Sequence, residues 1–210
     1  MTVKLVKFVA VLALAGMSAS CGEMSRQGRS PVQVVIRALQ AASGADSTQL
    51  GGTLNSDVIV LVTDDPCSQE NPCPTIVNDV GEVEMALVLK DPGSPGVTAS
   101  PSSLNMVTIN RYRVEYRRGD GRNVQGVDVP YAFDSGLTFT IPAEGQITAG
   151  FQIVRHTAKQ EAPLQALRYN GDIISTIATI TFYGHDQAGN EISVAGNIGI
   201  DFGDFGDPAS

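Results

Sequence analysis

The strongest constraint on the fold is a period of two in the apolar residues, which dominates the chain from Ser56 onward. In the last such segment, residues 191–202, the apolar side chains share one face: Ile192, Val194, Ile198, Ile200 and Phe202. Successive side chains of a strand point to opposite faces of a sheet, so this alternation predicts strands. The 22 Gly and the absence of Trp, together with plentiful Thr, Val and Ile, are typical of a strand-rich chain with many turns. We therefore expect an all-β fold.

Residues 106–118 also alternate, but with one interruption. The apolar residues fall on odd positions up to Ile109 and on even positions from Tyr112 onward. One extra residue in a strand moves all the following side chains to the opposite face. The slip therefore predicts a β-bulge near Asn110.

Further segments carry strand signals. Residues 57–63 are an almost unbroken β-branched run, which predicts a buried strand, and residues 82–90 alternate. Residues 137–141 and 147–153 alternate on either side of a short turn, and we expect them to form a hairpin. The last two strands, within residues 174–202, are predicted to form another hairpin.

One segment near the N-terminus has helical spacing instead. Its apolar residues at that spacing are Val32, Val35, Ile36, Leu39 and Ala42. Ser30 can cap a first turn, Pro31 suits the first helical position and Gly44 can end the helix. The pattern predicts an amphipathic helix over residues 31–43, docked on a single β-domain over residues 52–206.

Residues 1–20 are predicted to be a signal peptide. Two lysines precede an apolar run over residues 8–17, and three small residues then lead to Cys21. A ten-residue helix spans about 15 Å, half the thickness of a bilayer core, so the run is too short to cross a membrane. A cysteine directly after small residues resembles the lipobox of bacterial lipoproteins. The resemblance implies a lipidated Cys21, a flexible tether over residues 21–30 and a place in the bacterial cell envelope; cleavage by ordinary signal peptidase is the alternative.

The charge of the chain bears on its partners. The chain has 14 basic and 22 acidic side chains and a net charge of −8. An acidic chain repels the phosphate backbone, so we expect no nucleic-acid partner. The local exception is an arginine series on the outward positions of residues 106–118. Arg111, Arg113 and Arg117 form our candidate binding face, which is either simply solvated or binds anions or glycans.

The three cysteines predict one disulfide. Lipidation of Cys21 would leave Cys67 and Cys73 as a pair, as expected for an exported protein. Both lie in a Pro-rich polar segment, residues 64–74, which predicts a loop. Closing so short a ring stabilises the fold by about 2 kcal/mol. A metal site is the alternative, but the gap between the two cysteines is wider than zinc-knuckle spacing and no second Cys or His pair completes it.

The connection between the last two strands carries a recognisable string, residues 186–190, with the sequence DQAGN. Gly189 can supply a positive φ, and the side chains of Asp186 and Asn190 can bond nearby amides. The string resembles the D-x-A-G-N turn of bacterial immunoglobulin-like modules. This resemblance implies an immunoglobulin-like β-sandwich of seven to eight strands, here with one N-terminal amphipathic helix. The cysteine pair and core Trp of antibody domains are absent from the pattern, so the likeness is one of architecture.

The sequence contains no phosphate loop, H-E-x-x-H or G-x-S-x-G motif. We expect the two histidines, His156 and His185, to be structural or at the surface. Asp201, Asp204 and Asp207 recur every third residue and could help to hold Ca²⁺, although their spacing matches no EF-hand. We therefore expect no cofactor, no resident metal and no enzymatic activity. The expected function is a binding or structural module at the envelope; the alternative is a glycan-binding or Ca²⁺-dependent carbohydrate-handling protein.

The first prediction concerns Cys21. Because small residues precede it in a lipobox-like pattern, we expect the mature N-terminus to be an acylated cysteine. Intact-mass analysis of membrane-extracted protein should show acyl groups on Cys21. An unmodified thiol at this position would contradict the prediction.

Overall fold

The computed structural model describes residues 28–206, except residues 92 and 95. The predicted signal peptide, Cys21, most of the tether and Asp207 lie outside the described residues. The described part is all-β with short helical turns, which confirms the expected fold class at that level. Its strands are β1 (Val32–Ala42), β2 (Thr53–Asp57), β3 (Val60–Val62), β4 (Cys73–Thr75), β5 (Asp79–Leu89), β6 (Gly93–Ser94), β7 (Val97–Thr98), β8 (Val107–Arg117), β9 (Phe133–Ile141), β10 (Gln146–Val154), β11 (Ile174–Asp186) and β12 (Glu191–Gly203).

The larger strands form two sheets. One has three strands in the order β1-β5-β10, and the other has five in the order β2-β12-β11-β8-β9. Neighbouring strands are antiparallel except β2 and β12, which are parallel. The short strands pair as two ribbons, β3 with β4 and β6 with β7. One helical turn, α1 (His156–Lys159), and 3₁₀ turns at Ser103–Asn105 and Leu164–Leu167 connect strands.

The two sheets enclose one apolar core. Tyr112 of the five-stranded sheet lies 5.3 Å, centroid to centroid, from the ring of Phe151 in the three-stranded sheet. Its hydroxyl donates to the carbonyl of Gln152 across the core, at 2.9 Å. The alternation of the last strand is confirmed, since Ile198, Ile200 and Phe202 are all buried. The inward face of each strand therefore follows from its apolar positions.

The predicted bulge at Asn110 is confirmed. Arg111 pairs with Tyr183, and the next pair, Ile109 with Gly184, skips Asn110 on β8. The pairing of β8 with β9 slips at the same place. A Cβ atom on Gly184 would collide with the backbone carbonyl of Thr108, so glycine allows the strands to approach closely beside the bulge.

The predicted helix over residues 31–43 is wrong, because residues 32–42 form β1 and pair with β5. The register slips between Ile36 and Ala38, which leaves Arg37 as an extra, exposed residue. Residues that face the core are thus two positions apart in the sequence up to Ile36. The next such residue, Leu39, follows Ile36 after three positions. This bulge produces the interval that resembles helical spacing. The valines and isoleucine of the segment also favour a strand.

The predicted hairpin over residues 137–153 is also wrong. Both strands exist, but β9 pairs with β8 in the five-stranded sheet and β10 pairs with β5 in the three-stranded sheet. The intervening turn therefore carries the chain from one sheet to the other. Alternation tells which face of a strand is buried and does not tell which strand lies beside it.

The predicted strand over residues 57–63 is interrupted. β2 ends at Asp57 and β3 begins at Val60. Val58 and Ile59, between them, are buried in the core. Burial extends from Asp57 to Val60, but Leu61 is 37% exposed, so the predicted burial is confirmed only for the first part of the run.

The last hairpin and the disulfide are confirmed. β11 and β12 pair antiparallel along their full length, and Gly189 in their turn has a φ of 79°. The carboxylate of Asp186 accepts from the amides of Ala188 and Asn190, at 3.0 and 2.8 Å. Cys67, in the connection between β3 and β4, forms the predicted disulfide with Cys73, the first residue of β4.

The second prediction compares two positions of this hairpin. Ile200 is 1% exposed, so Ile200→Ala should lower the free energy of unfolding by about 2–5 kcal/mol through lost burial and a cavity. His185→Ala, at an exposed position before the turn, should cost less than about 1 kcal/mol. Denaturant unfolding of both variants decides the matter. Equal losses of unfolding free energy in the two variants would contradict the interpretation of this turn as a purely structural element.

Candidate functional site

The candidate binding face lies on the outer surface of the five-stranded sheet. Arg111, Arg113 and Arg117 occupy outward positions of β8, whereas Tyr112 and Val114 between them are buried. The structure therefore places the three arginines on one face, as the alternation predicted. Whether this face binds anything stays a prediction.

Carboxylates neutralise part of this face. Arg113 forms ion pairs with Asp134 of β9 and, at 3.2 Å, with Glu115. Arg111 reaches the same Asp134 carboxylate at 3.3 Å. The hydrogen bonds that Arg113 donates to these carboxylates, that to Asp134 first, raise the pKa of Arg113 above its usual value. The two arginines are thus held in place while their side chains remain 51% and 35% exposed.

Arg111 also stacks on an aromatic ring. Its guanidinium carbon lies 3.7 Å from the ring centroid of Tyr183 on β11. The surrounding strands carry hydroxyl and amide groups on the same face: Thr108 bonds Thr140 at 3.0 Å, and Thr179 donates to Asn197 at 2.7 Å. The result is a polar face with a cation–aromatic platform at one side.

The loop after β8 uses its charges internally. Residues 118–120 read Arg-Gly-Asp, but the Asp120 carboxylate accepts from both Arg118, at 2.8 Å, and Arg122, at 3.1 Å. These hydrogen bonds, that from Arg118 first, lower the pKa of Asp120 to about 2. Arg118 and Arg122 are therefore paired within the loop, and Arg117 is left as the outward arginine at that end of β8.

The carboxylates near the C-terminus do not form a cation site among the described residues. Asp204 accepts a hydrogen bond from the amide of Tyr169 at 2.6 Å, and Asp207 lies outside the described part. Within the described part of the chain, no group of three or more His, Cys, Asp or Glu could hold a metal ion.

The two histidines are exposed and separate. The Nδ1 atom of His156 lies 2.9 Å from the side-chain oxygen of Asn78, at the start of α1. His185 lies near the end of β11, where it pairs with Thr108 and Glu191 on the neighbouring strands. The structure does not bring the two histidines together.

The most concentrated chemistry is a buried cluster that the sequence analysis missed. The Lys159 ammonium of α1 donates to the Asp79 carboxylate at 2.7 Å and to the carbonyl of Asp57 at 2.8 Å. The Ser56 hydroxyl donates to the other Asp79 oxygen at 2.6 Å, and the amide of Gly44 donates to the first at 2.9 Å. The side chains of Ser56, Asp79 and Lys159 are fully buried.

This buried cluster is a structural connection. Burial raises the pKa of Asp79, and the ion pair with Lys159 and the hydrogen bonds from Ser56 and Gly44 offset that effect only in part. Burial also raises the pKa of Tyr116, whose hydroxyl donates to the carbonyl of Ile153 at 2.7 Å. The side chains of Ser56, Asp79 and Lys159 have no atom at the surface that could contact a substrate.

No local pattern in the sequence could have revealed this cluster. Lys159 and Asp79 are 80 residues apart, and Ser56 is 23 residues from Asp79. The residues around Lys159 are polar, as in an ordinary surface turn. Only the packing of α1 across the end of the sheets directs this lysine inward.

A shallow hollow of about 210 Å³ lies between the end of β1 and β2. Its lining is mixed: Ala41, Ala42, Ser43, Asp46, Gln49, Thr53, Leu54 and Asn55. Asp46, its charged residue, already accepts from the hydroxyl of Thr48 at 2.6 Å. No titratable side chain besides Asp46 lines the hollow.

Comparisons with known proteins give no family for this chain: no family model, no curated protein and no solved structure matches it. Among the described residues, no helix is both long and apolar enough to cross a membrane. The surface and the buried cluster are therefore interpreted from their own geometry.

The third prediction concerns the buried ion pair. Lys159→Met leaves the Asp79 carboxylate buried without its cation, so we expect a loss of about 3–5 kcal/mol in unfolding free energy. Asp79→Asn should also destabilise, but the double variant should lose less than the two single losses combined, by about 1–3 kcal/mol. Denaturant unfolding measures each value, with Arg37→Met at an exposed position as the control. Additive losses would contradict a direct ion pair.

Proposed function

We propose that this protein is a non-enzymatic binding module of the bacterial cell envelope, anchored by a lipidated Cys21. The observation that carries the proposal is the outer face of the five-stranded sheet, where Arg111 and Arg113 are pre-positioned but exposed. Side chains fixed in this way lose little entropy on binding, which favours recognition over simple solvation.

We assign the fold of this module to the immunoglobulin-like β-sandwiches. Two features support the assignment: two mainly antiparallel sheets enclose one core, and a D-x-A-G-N turn joins the last two strands. Folds of this type serve many functions, so the assignment gives the scaffold, and the function is argued from the exposed face.

The position of the N-terminal segment fits an anchor. Ser30 is buried and hydrogen-bonds Asp186, so the described chain begins beside the turn that joins β11 and β12. Six residues separate Cys21 from Gly28, and six residues extend at most about 20 Å. A lipid on Cys21 would hold this end near the bilayer. Arg117, at the other end of β8, would then lie farthest from the membrane on the binding face.

The chemistry of the face suits an anionic or hydroxyl-rich ligand. Guanidinium groups bind carboxylates and phosphates through paired donors, and Arg111 keeps half of its side chain exposed. A glycan is the second candidate, favoured by one observation: the Tyr183–Arg111 platform is continuous with a face of threonine hydroxyls. In either case the arginines would contact the ligand directly.

The fourth prediction tests this face in living cells. A photo-crosslinking residue at position 181, between Arg113 and Ala195 in the sheet, should give a discrete adduct. The same residue at Thr148, exposed on the three-stranded sheet, should give none. Replacing both Arg111 and Arg113 with Gln should reduce the adduct at position 181 by about tenfold or more, as expected when charged contacts are lost.

The nature of the adduct separates the two ligand classes. Loss of its extra mass on glycosidase treatment indicates a glycan, and peptides of a second protein in the protease digest of the adduct indicate a protein that presents carboxylates. Equal adducts at positions 181 and 148, or no adduct at either position, would contradict a binding role for this face.

A further inference from the structure

The buried cluster around Lys159 and Asp79 contains the two groups from which an amide bond is made. Lys159 carries a primary amine and Asp79 carries a carboxyl group, and both side chains are completely buried. The ion pairs on the outer face of the five-stranded sheet, by contrast, are partly exposed and use guanidinium groups, which stay charged. A lysine amine becomes a nucleophile when it loses its proton.

We propose that Lys159 and Asp79 react with each other in the folded chain, so that an amide bond joins the lysine Nζ to the aspartate Cγ and one molecule of water is released. The ion pair seen in the structure is the reactant. The product covalently connects α1 with the start of β5, 80 residues earlier in the chain. The reaction needs no oxidant, reductant or activated group, because water is the leaving group.

The position of the amine suits attack on the carboxyl carbon. The Nζ atom of Lys159 lies 2.7 Å from Oδ1 of Asp79. A contact of this length to a carboxyl oxygen holds the nitrogen at about 3–3.5 Å from the carbon, the separation from which attack begins. Asp79 pairs with Val154 at the end of β10, and Lys159 follows soon after that strand. The fold therefore holds the two reacting groups together.

The contacts of the Lys159 ammonium account for every proton in the reaction. The first of its three protons passes to Oδ1, which gives a neutral amine and a carboxylic acid. The amine then attacks Cγ, a second proton follows to Oδ1, and the bond between Cγ and Oδ1 breaks to release water. The third proton remains on the amide nitrogen. The carbonyl of Asp57, 2.8 Å from Nζ, accepts the hydrogen bond of that group.

Two further donors stabilise the charge that develops on the carboxyl group. When the amine attacks, negative charge gathers on Oδ2, which becomes the amide oxygen. The hydroxyl of Ser56 donates to this oxygen at 2.6 Å. The backbone amide of Gly44 donates to Oδ1 at 2.9 Å and so favours its departure. Donors that are placed in advance around a developing charge lower the barrier to acyl transfer.

Burial favours both the reaction and its product. Burial raises the pKa of Asp79, and the ion pair with Lys159 and the hydrogen bonds offset this effect only in part. A raised pKa eases the transfer of a proton from the ammonium to the carboxylate within the pair. Forming the amide removes two buried charges, which are costly in an apolar interior. Because the side chains have no exposed atom, the amide is also protected from hydrolysis.

Peptide mapping of the full chain tests the proposal directly. Trypsin cleaves after arginine and after unmodified lysine, so an amide at Lys159 blocks one cut. We expect residues 156–168 to be recovered attached to residues 38–90, with a mass one water below the sum of the two peptides. Recovery of residues 38–90 unattached from the folded chain, with cleavage after Lys159, would overturn the proposal.

Lys159→Arg is the control for the nucleophile. This variant keeps a cation beside Asp79 but removes the primary amine, so its peptides should be unlinked. After denaturation and reduction, the parent chain retains a covalent loop and should migrate faster on a gel than the Lys159→Arg chain. Equal migration of the two chains would contradict the proposal. The peptide map of the parent chain stands as a test even if this variant does not fold.

The rate of linkage tests the position of Ser56. In chains made by cell-free synthesis, the linked peptide should appear about 100-fold more slowly with Ser56→Ala, as expected when one donor to a developing oxyanion is lost. The matched control, Thr176→Val, removes another buried hydroxyl, which donates to the carbonyl of Ile200, and should leave the rate unchanged. Equal rates in the Ser56→Ala and parent chains would contradict the proposed reaction geometry.

Discussion

The carboxylate of Asp79 is the contact on which the end of the sandwich depends. It accepts hydrogen bonds from the Gly44 amide, the Ser56 hydroxyl and the Lys159 ammonium, which come from three different parts of the chain. The loop after β1, the end of β2, the start of β5 and the helical turn α1 therefore meet at one buried group. Since a buried charge without its partners is costly, these segments must be ordered together. The sheets supply the apolar core, and this cluster fixes how their connections cross at one end.

The arrangement of the strands shows what the sequence could and could not predict. Alternation identified the inward side chains of β5, β8 and β12, because burial of one face follows directly from a period of two. The slip near Asn110 was predictable for the same reason. The similar slip at Arg37 was misread as helical spacing, because it occurs in a short segment where two periods fit equally well. The partners of β9 and β10 were not predictable, because the two strands are adjacent in the chain but belong to opposite sheets.

The candidate binding face could be predicted further than the buried cluster. Arg111 and Arg113 share one strand, so their common face follows from local spacing. Their neighbours do not: Asp134 and Tyr183 come from β9 and β11, and only the sheet order brings them beside the arginines. The buried pair of Lys159 and Asp79 has no local signal at all, because neither residue differs in its sequence context from an exposed one. Long-range polar contacts of this kind require the fold before they can be identified.

The bulge at Asn110 connects the core to the candidate binding face. Without the extra residue, a regular strand that buries Ile109 would also bury Arg111 and Arg113 and would expose Tyr112. Burying two guanidinium groups in an apolar core would cost far more than a locally disrupted ladder. The bulge, with Gly184 opposite it, therefore allows one strand to fill the core with Tyr112 and to display arginines on the outer face. Stability and the proposed recognition thus depend on the same irregularity of β8.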